Sequence, residues 1–259
     1  MLNITYSQYE LETFFLILIR ITSFIYIAPF FGQTNTPQRF RLGFGLFLSF
    51  LVYMLLPAQS ISYATTTDYA ILVIKEAVTG TLIGFSVYIV WSVILFAGHI
   101  IDMEIGLSMA TIFDPQTKTQ ITISGQFYQT IFMLIFIATG MYWYLLTALV
   151  DSFTAVPLGN IHVRLSLMTM LTDLIGQYFI IGFRIALPVF ASSFLVNIVL
   201  GIMTKIAPQI HMFSVGMQLK ILAGLFVMFI TVAVLPNIAN YLLDQMKEVL
   251  GMVIQNLSP

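Results

Sequence analysis

The side chains able to do chemistry are few and scattered. His99, His162 and His211 lie far apart along the chain, and none belongs to an H-E-x-x-H helix. Ser108 comes shortly after a glycine in "GLSMA" (Gly106–Ala110), but the G-x-S-x-G elbow of a hydrolase is not there, and "ISG" at Ile123–Gly125 is no closer. A nucleophile and its base would have to be gathered from distant positions. There is no phosphate-binding loop and no dinucleotide fingerprint, so the chain does not itself couple a nucleotide to work. With no cysteine, disulfides and thiolate-ligated metals are excluded. The expectation is a non-enzyme with no catalytic, metal or cofactor site. The ionisable residues that stand out instead are Arg20, Lys75, Glu76 and Arg184, inside or at the edges of apolar runs where each is costly against lipid. Arg20 and Arg184 lie deep and are expected to face protein or water. Lys75 and Glu76 lie near the start of a run, so a snorkelling, interfacial reading stands beside a functional one.

These residues sit in a membrane chain. Only 8% of the 259 residues are charged, 59% are hydrophobic and the mean hydropathy is +0.97, against about 25% charged in soluble domains. The net charge of −1 supplies no basic field for nucleic acid. The start, "MLNITYSQYELE", lacks the basic region of a signal peptide and reads as the approach to a retained helix. Six apolar runs are long enough to be considered as spans: roughly 11–31, 42–57, 69–98, 127–150, 174–203 and 219–243. The fold class is therefore all-α, a polytopic helical membrane protein with about six long apolar segments, some kinked or broken, in one domain. Arg39, Arg41, Lys118, Lys205 and Lys220 fall in the odd-numbered connections, against Arg164 and Lys247 on the other side. The basic side is cytoplasmic, which puts both termini outside.

Several features exceed a plain bundle. "GTLIG", Gly80 to Gly84, spaces small residues for close helix approach. "LGFGLF" in the second run is less regular. Pro188 follows Arg184 and removes a backbone donor, so a kink is expected there. Aromatic residues such as Phe30, Phe31, Tyr142, Trp143 and Tyr144 suit interface belts and packing. A small secondary transporter or channel using intramembrane charges is the alternative function. It would use broken helices and buried ions, but the paired halves with matching interruptions that mark such proteins are missing.

Four ordered pieces carry a family resemblance. "IDMEIGLSMATIFDPQTKTQ" follows the third run, and "IAPFFGQTNTPQRFRLGFGL" (Ile27–Leu46) joins the first two. "LVDSFTAVPLG" (Leu149–Gly159) follows the fourth, and "ALPVFASSFLVNIVLGIMTKIAPQIHMFSVGMQLKILAGL" (Ala186–Leu225) centres on Ala207-Pro208-Gln209. Together they resemble the FliR family of type III export-gate proteins, with looser likeness to its injectisome relatives of the SctT/SpaR/YscT group. "DSFTAVPLG" favours the flagellar branch, and Glu104 stands where similar proteins often have an uncharged or amide residue. The resemblance covers nearly the whole chain.

The resemblance implies a core subunit of the flagellar export gate in the bacterial inner membrane, at the basal body. Residues to about 173 would be a FliP-like part, and about 174–259 a FliQ-like helical hairpin. With FliP and FliQ the chain would build a helical, cone-shaped channel that rises toward the periplasm and passes unfolded flagellar subunits. FlhB would wrap its cytoplasmic entrance and FlhA would form a ring below, while energy comes from the proton motive force and a separate ATPase. Apolar faces would meet neighbours rather than lipid, so the count of six apolar runs would overstate the true crossings. The segment between the third and fourth runs would plug the channel. Its residue types suit a plug. Met103, Met109, Ile112 and Phe113 make a deformable apolar seal, Gly106 allows a bend, and Asp114-Pro115 a turn. On sequence physics alone an amphipathic re-entrant hairpin packed under neighbours is the favoured reading, and the resemblance reverses that preference. Lys205, Ala207, Pro208 and Gln209 would line the cytoplasmic mouth, where Pro208 also serves as a simple helix stop.

Overall fold

The computed structural model describes residues 4–31, 36–56, 63–110, 112–114, 119–162, 164–207 and 212–259. Eight α-helices account for most of them: α1 (Ile4–Ile27), α2 (Gln38–Leu55), α3 (Thr66–Ile105), α4 (Ile123–Ala138), α5 (Met141–Ala155), α6 (Leu165–Ile206), α7 (Met212–Thr231) and α8 (Leu235–Leu257). The architecture is the expected all-α membrane type. Among the described residues it departs from that type in a small antiparallel pair between α3 and α4, β1 (Ile112–Asp114) and β2 (Thr119–Ile121). Ile112 pairs with Ile121, Phe113 with Gln120 and Asp114 with Thr119.

All six apolar runs are largely helix, but among the described residues fewer helical stretches are long and apolar enough to cross a membrane. Three helical stretches are long and apolar enough: 66–105, 165–206 and 215–257, the last joining α7 to α8 through a 3₁₀ turn at Val232–Val234. A fourth is added if α4 and α5 count as one bent span. The physical reasons are local. Every bilayer-length window of α1 contains Glu10, Glu12 and Arg20, and α2 opens on Gln38-Arg39-Phe40-Arg41. The expected 127–150 span breaks at Thr139–Gly140, where Gly140 takes a left-handed φ of 69°. α6 runs as one helix through Pro188.

Burial separates the long helices. In the most apolar window of α3, 61% is buried, against 17% in α6 and 11% in the α7–α8 stretch. α3 is the internal helix, while α6 to α8 present apolar surface such as Phe179, Phe194 and Phe229. At 40 and 42 residues, α3 and α6 measure about 60 Å at 1.5 Å per residue, roughly twice the hydrocarbon thickness.

The chain divides into two compact units, and the division falls within α3, α6 and α8. The first comprises Met1–Val90, Gly140–Asp173 and Asp244–Pro259. Its core gathers Leu16, Ile21 and Phe24 of α1 with Leu149 and Phe153 of α5 and Leu257 of α8, all without exposure. α3 begins on a reciprocal cap: the Thr65 hydroxyl accepts from Asp68 N, and Asp68 Oδ2 accepts from Thr65 N at 2.9 Å. Just before it, the Tyr63 hydroxyl donates to Glu12 Oε2 of α1 at 2.5 Å. That bond to a carboxylate pushes the Tyr63 phenol up to about 12. Gly80 and Gly84 face α1, and a side chain on Gly80 would run into the Arg20 carbonyl.

The second unit comprises Trp91–Thr139 and Leu174–Leu243. Trp91, 2% exposed, meets Phe132 and Phe136 of α4 edge-on, with ring centroids at 5.0 and 6.1 Å. Phe96 packs among Phe179 and Phe183 of α6.

Gly80→Ala should destabilise the fold by about 1–3 kcal/mol, because rigid backbone must retreat. Gly251→Ala meets nothing within 4 Å and should be neutral or stabilising by about 0.5–1 kcal/mol. Unfolding midpoints of the purified membrane protein check both.

Candidate functional site

Two places concentrate the residues singled out by sequence. The first is a buried ion pair in the first unit. Arg20 is fully buried in α1 and Glu76 is 1% exposed in α3. Arg20 Nε donates to Glu76 Oε2 at 2.5 Å. Its Nη1 donates to Ser152 O at 3.0 Å and Val156 O at 2.9 Å, two carbonyls at the end of α5. The guanidinium also lies 4.4 Å from the centroid of the Phe153 ring. A cation there suits the negative end of the helix dipole. Glu76 Oε1 accepts from Gly159 N at 2.7 Å, and half-buried Lys75 donates through Nζ to Gly159 O at 3.2 Å. Gly159 has φ 76° in the turn that follows α5, where Asn160 N donates to Pro157 O. Arg20 and Glu76 thus tie α1, α3, α5 and that turn together. The interfacial reading of Glu76 is corrected: its carboxylate is enclosed because Arg20 and the Gly159 amide replace water. Arg184, expected to face protein or water, is exposed in the second unit.

The second place is the connection from α3 to α4, within the second unit. α3 ends at Ile105, and Gly106 turns the chain with φ 86° into a 3₁₀ turn, Leu107–Ala110. The β1–β2 pair then doubles the chain back to α4. Met103 is 72% exposed on the last turns of α3. The side chains of Met109, Ile112, Phe113 and Asp114, and Pro115 as a whole, lie outside the described residues. Asp102 and Gly98 went unnoticed in the sequence, but both hold the base of this hairpin. Asp102 is fully buried and its oxygens accept from Ser124 N at 3.1 and 3.3 Å. A side chain on Gly98 would overlap the backbone of Gly125. Ser193 of α6 donates its hydroxyl to Glu104 O at 2.9 Å. The only sequence signal was an acid and two small residues beside a loop, which is not distinctive.

Residues 11–246 match the protein family described as "Bacterial export proteins, family 1". The chain belongs to that family. Relatives along almost the full length carry the name flagellar biosynthetic protein FliR. That of Bacillus subtilis is 30% identical over 247 residues, 93% of this chain and 95% of that protein. Those of Escherichia coli and Aquifex aeolicus are each 25% identical, covering 99% and 93% of both chains respectively. The chain is accordingly a FliR-family component of flagellar export, built on membrane helices. The FliR-like segments "IDMEIGLSMATIFDPQTKTQ" and "LVDSFTAVPLG" are the two that the geometry singles out: the first is the hairpin, and the second holds the partners of Arg20 and Glu76.

The remaining candidates are simpler. Exposed Lys205 lies in the last turn of α6, where a cation suits the helix dipole, and Ala207 N donates to Met203 O at 2.9 Å. Pro208 and Gln209 lie outside the described residues. His99 and His162 are exposed and belong to different units, and His211 is also outside. Among the described residues no cluster of three His, Asp or Glu could hold a metal.

Arg20→Met should cost about 3–5 kcal/mol by leaving Glu76 buried without its counter-charge. Adding Glu76→Leu should recover much of that loss. Chemical unfolding of the three variants checks this, and strictly additive losses would contradict the coupling.

Proposed function

We propose that this chain is a core subunit of the flagellar type III export gate in the bacterial inner membrane. It assembles with FliP and FliQ into the channel that unfolded flagellar subunits cross, and FlhB and FlhA join it at the cytoplasmic side. On this reading residues to about 173 take the FliP-like place and 174–259 the FliQ-like place. The 106–122 hairpin plugs the channel, and Lys205, Ala207, Pro208 and Gln209 line its cytoplasmic mouth. The observation that carries the reading is the hairpin itself. A short connection would join α3 to α4 more simply, whereas this segment leaves at Gly106, pairs with itself and returns to a clamped base. Such a segment can project as a unit and withdraw as a unit.

Two further features support assembly. α6 to α8 leave their apolar faces largely open, more than one chain can cover, and lipid or neighbouring subunits supply what is missing. Helices of about 60 Å exceed the hydrocarbon, which fits an assembly rising out of the bilayer toward the periplasm. The charges on which a small transporter would depend are accounted for in part, since Arg20 and Glu76 bond to each other and to backbone, although the buried Arg20 Nη2 has no hydrogen-bond partner among the described residues.

Deleting Gly106–Lys118 should leave a complex that still assembles with FliP and FliQ but raises the ion permeability of the host membrane. Met109→Ser with Phe113→Ser should leak less than the deletion, since a hydroxyl-lined constriction wets more easily. An assembled gate with unchanged permeability would remove the plug, and a complex that no longer forms would favour a structural hairpin. Replacing His99, His162 and His211 singly by Gln should leave secretion intact. Loss of secretion in all three, with assembly preserved, would point to a proton relay instead.

A further inference from the structure

We infer that Asp102 is a positioning residue: it keeps the 106–122 hairpin docked by holding the start of α4 from the end of α3. The functional consequence rests on the plug reading above, whereas the docking does not.

The first N–H groups of a helix have no partner within the helix. A threonine at the N-cap ordinarily accepts one of them with its own hydroxyl. Thr122 occupies that position before α4 and makes no such bond. Its hydroxyl oxygen is buried without a partner. Ser124 N, the donor it would normally serve, is taken by Asp102 from the neighbouring helix. The cap of α4 is therefore not local. It bridges the two ends of the hairpin, so α4 can keep its capped start only while it stays against α3.

Close backbone contact and bonds to other helices surround this bond at the base. Gly98 and Gly125 bring the two backbones together without side chains between them. On the α3 side, Ser193 secures Glu104 O, and Gly224 of α7 lies directly against Ile105. Below the hairpin, α3 is thus fixed by α6 and α7. The Ser124 hydroxyl contributes only a long contact to Met228 Sδ at 3.5 Å. Gly106, with φ 86°, stands one residue beyond this frame. The hairpin is left with a glycine pivot on one side and the Asp102–Ser124 bond on the other. Loss of a hydrogen bond to a charged group should shift the docked-to-undocked ratio roughly ten- to hundredfold.

The test uses the gate assembled with cysteine-free FliP and FliQ subunits. Because the chain has no cysteine of its own, Thr117→Cys carries a single nitroxide on the hairpin, and Thr130→Cys, on the exposed side of α4, is the control. Asp102→Leu keeps the volume and removes the acceptors, whereas Asp102→Asn keeps one acceptor oxygen. Asp102→Leu should raise label mobility at position 117 and leave position 130 unchanged, while Asp102→Asn should stay near the parent. Ion leak is measured on the same samples. Raised mobility without leak upholds the docking role and counts against the plug. A leaking Gly106–Lys118 deletion beside an Asp102→Leu gate with unchanged mobility upholds the plug and overturns the docking role. If Asp102→Leu does not assemble, Asp102→Ala replaces it. Failure of both variants to assemble makes Asp102 a folding residue and overturns the inference, as does equal mobilisation by Asp102→Asn.

Discussion

A guanidinium inside an apolar helical unit must find its acceptors within the protein, and Arg20 finds three. Glu76 supplies the counter-charge, and the end of α5 supplies two carbonyls, Ser152 O, which also accepts from Val156 N, and Val156 O just beyond the helix. Each partner needs the other, because an unpaired ion in this setting costs several kcal/mol. The geometry of the first unit follows from that need. α1 and α3 must approach until side chains no longer fit between them, which is why Gly80 lies against the Arg20 carbonyl. α5 must end where its last turn meets the guanidinium, and the turn after it must present Gly159 N to Glu76. Burial of an ion pair gives little net stability, but here it selects one arrangement of three helices from the many that apolar faces allow.

The second unit solves a different problem. Its helices carry few ions, and it holds its shape through aromatic packing around Trp91 and through close backbone contact. Against that frame the hairpin between α3 and α4 is exceptional. It is a small β element in a helical protein, and it starts and ends at one clamped point. Gly106, with its left-handed φ, stands at one end of it and the Asp102–Ser124 bond at the other.

The open apolar surface of α6 to α8 links both units to assembly. In water such a surface would aggregate. In a membrane part of it is solvated by lipid, and helices of about 60 Å leave further surface for neighbouring subunits. Hydropathy measures the transfer preference of a segment and does not distinguish these two apolar environments.

Much of the class was legible in the chain. Low charge and long apolar runs specify membrane helices, because a soluble surface needs more ions. The order of four motifs specified the export family. Gly80 and Gly84, Arg20 and Glu76, and the segments 100–127 and 149–159 were each visible as unusual, since buried ions and spaced small residues are costly or rare by type alone. What each meets was not visible. That Arg20 binds the end of α5, that Asp102 caps α4, and that Gly98 faces Gly125 depend on residues far apart in sequence. Hydropathy runs also outnumbered the helices long and apolar enough to span, because three charges in α1 and a left-handed glycine between α4 and α5 act on specific turns that a window average blurs. The amino-acid sequence by itself determined the solvent this protein lives in and its helical character. Only the tertiary structure decided which charges neutralise each other and where the β1–β2 segment is held, because those choices are made by contacts between helices and not within them.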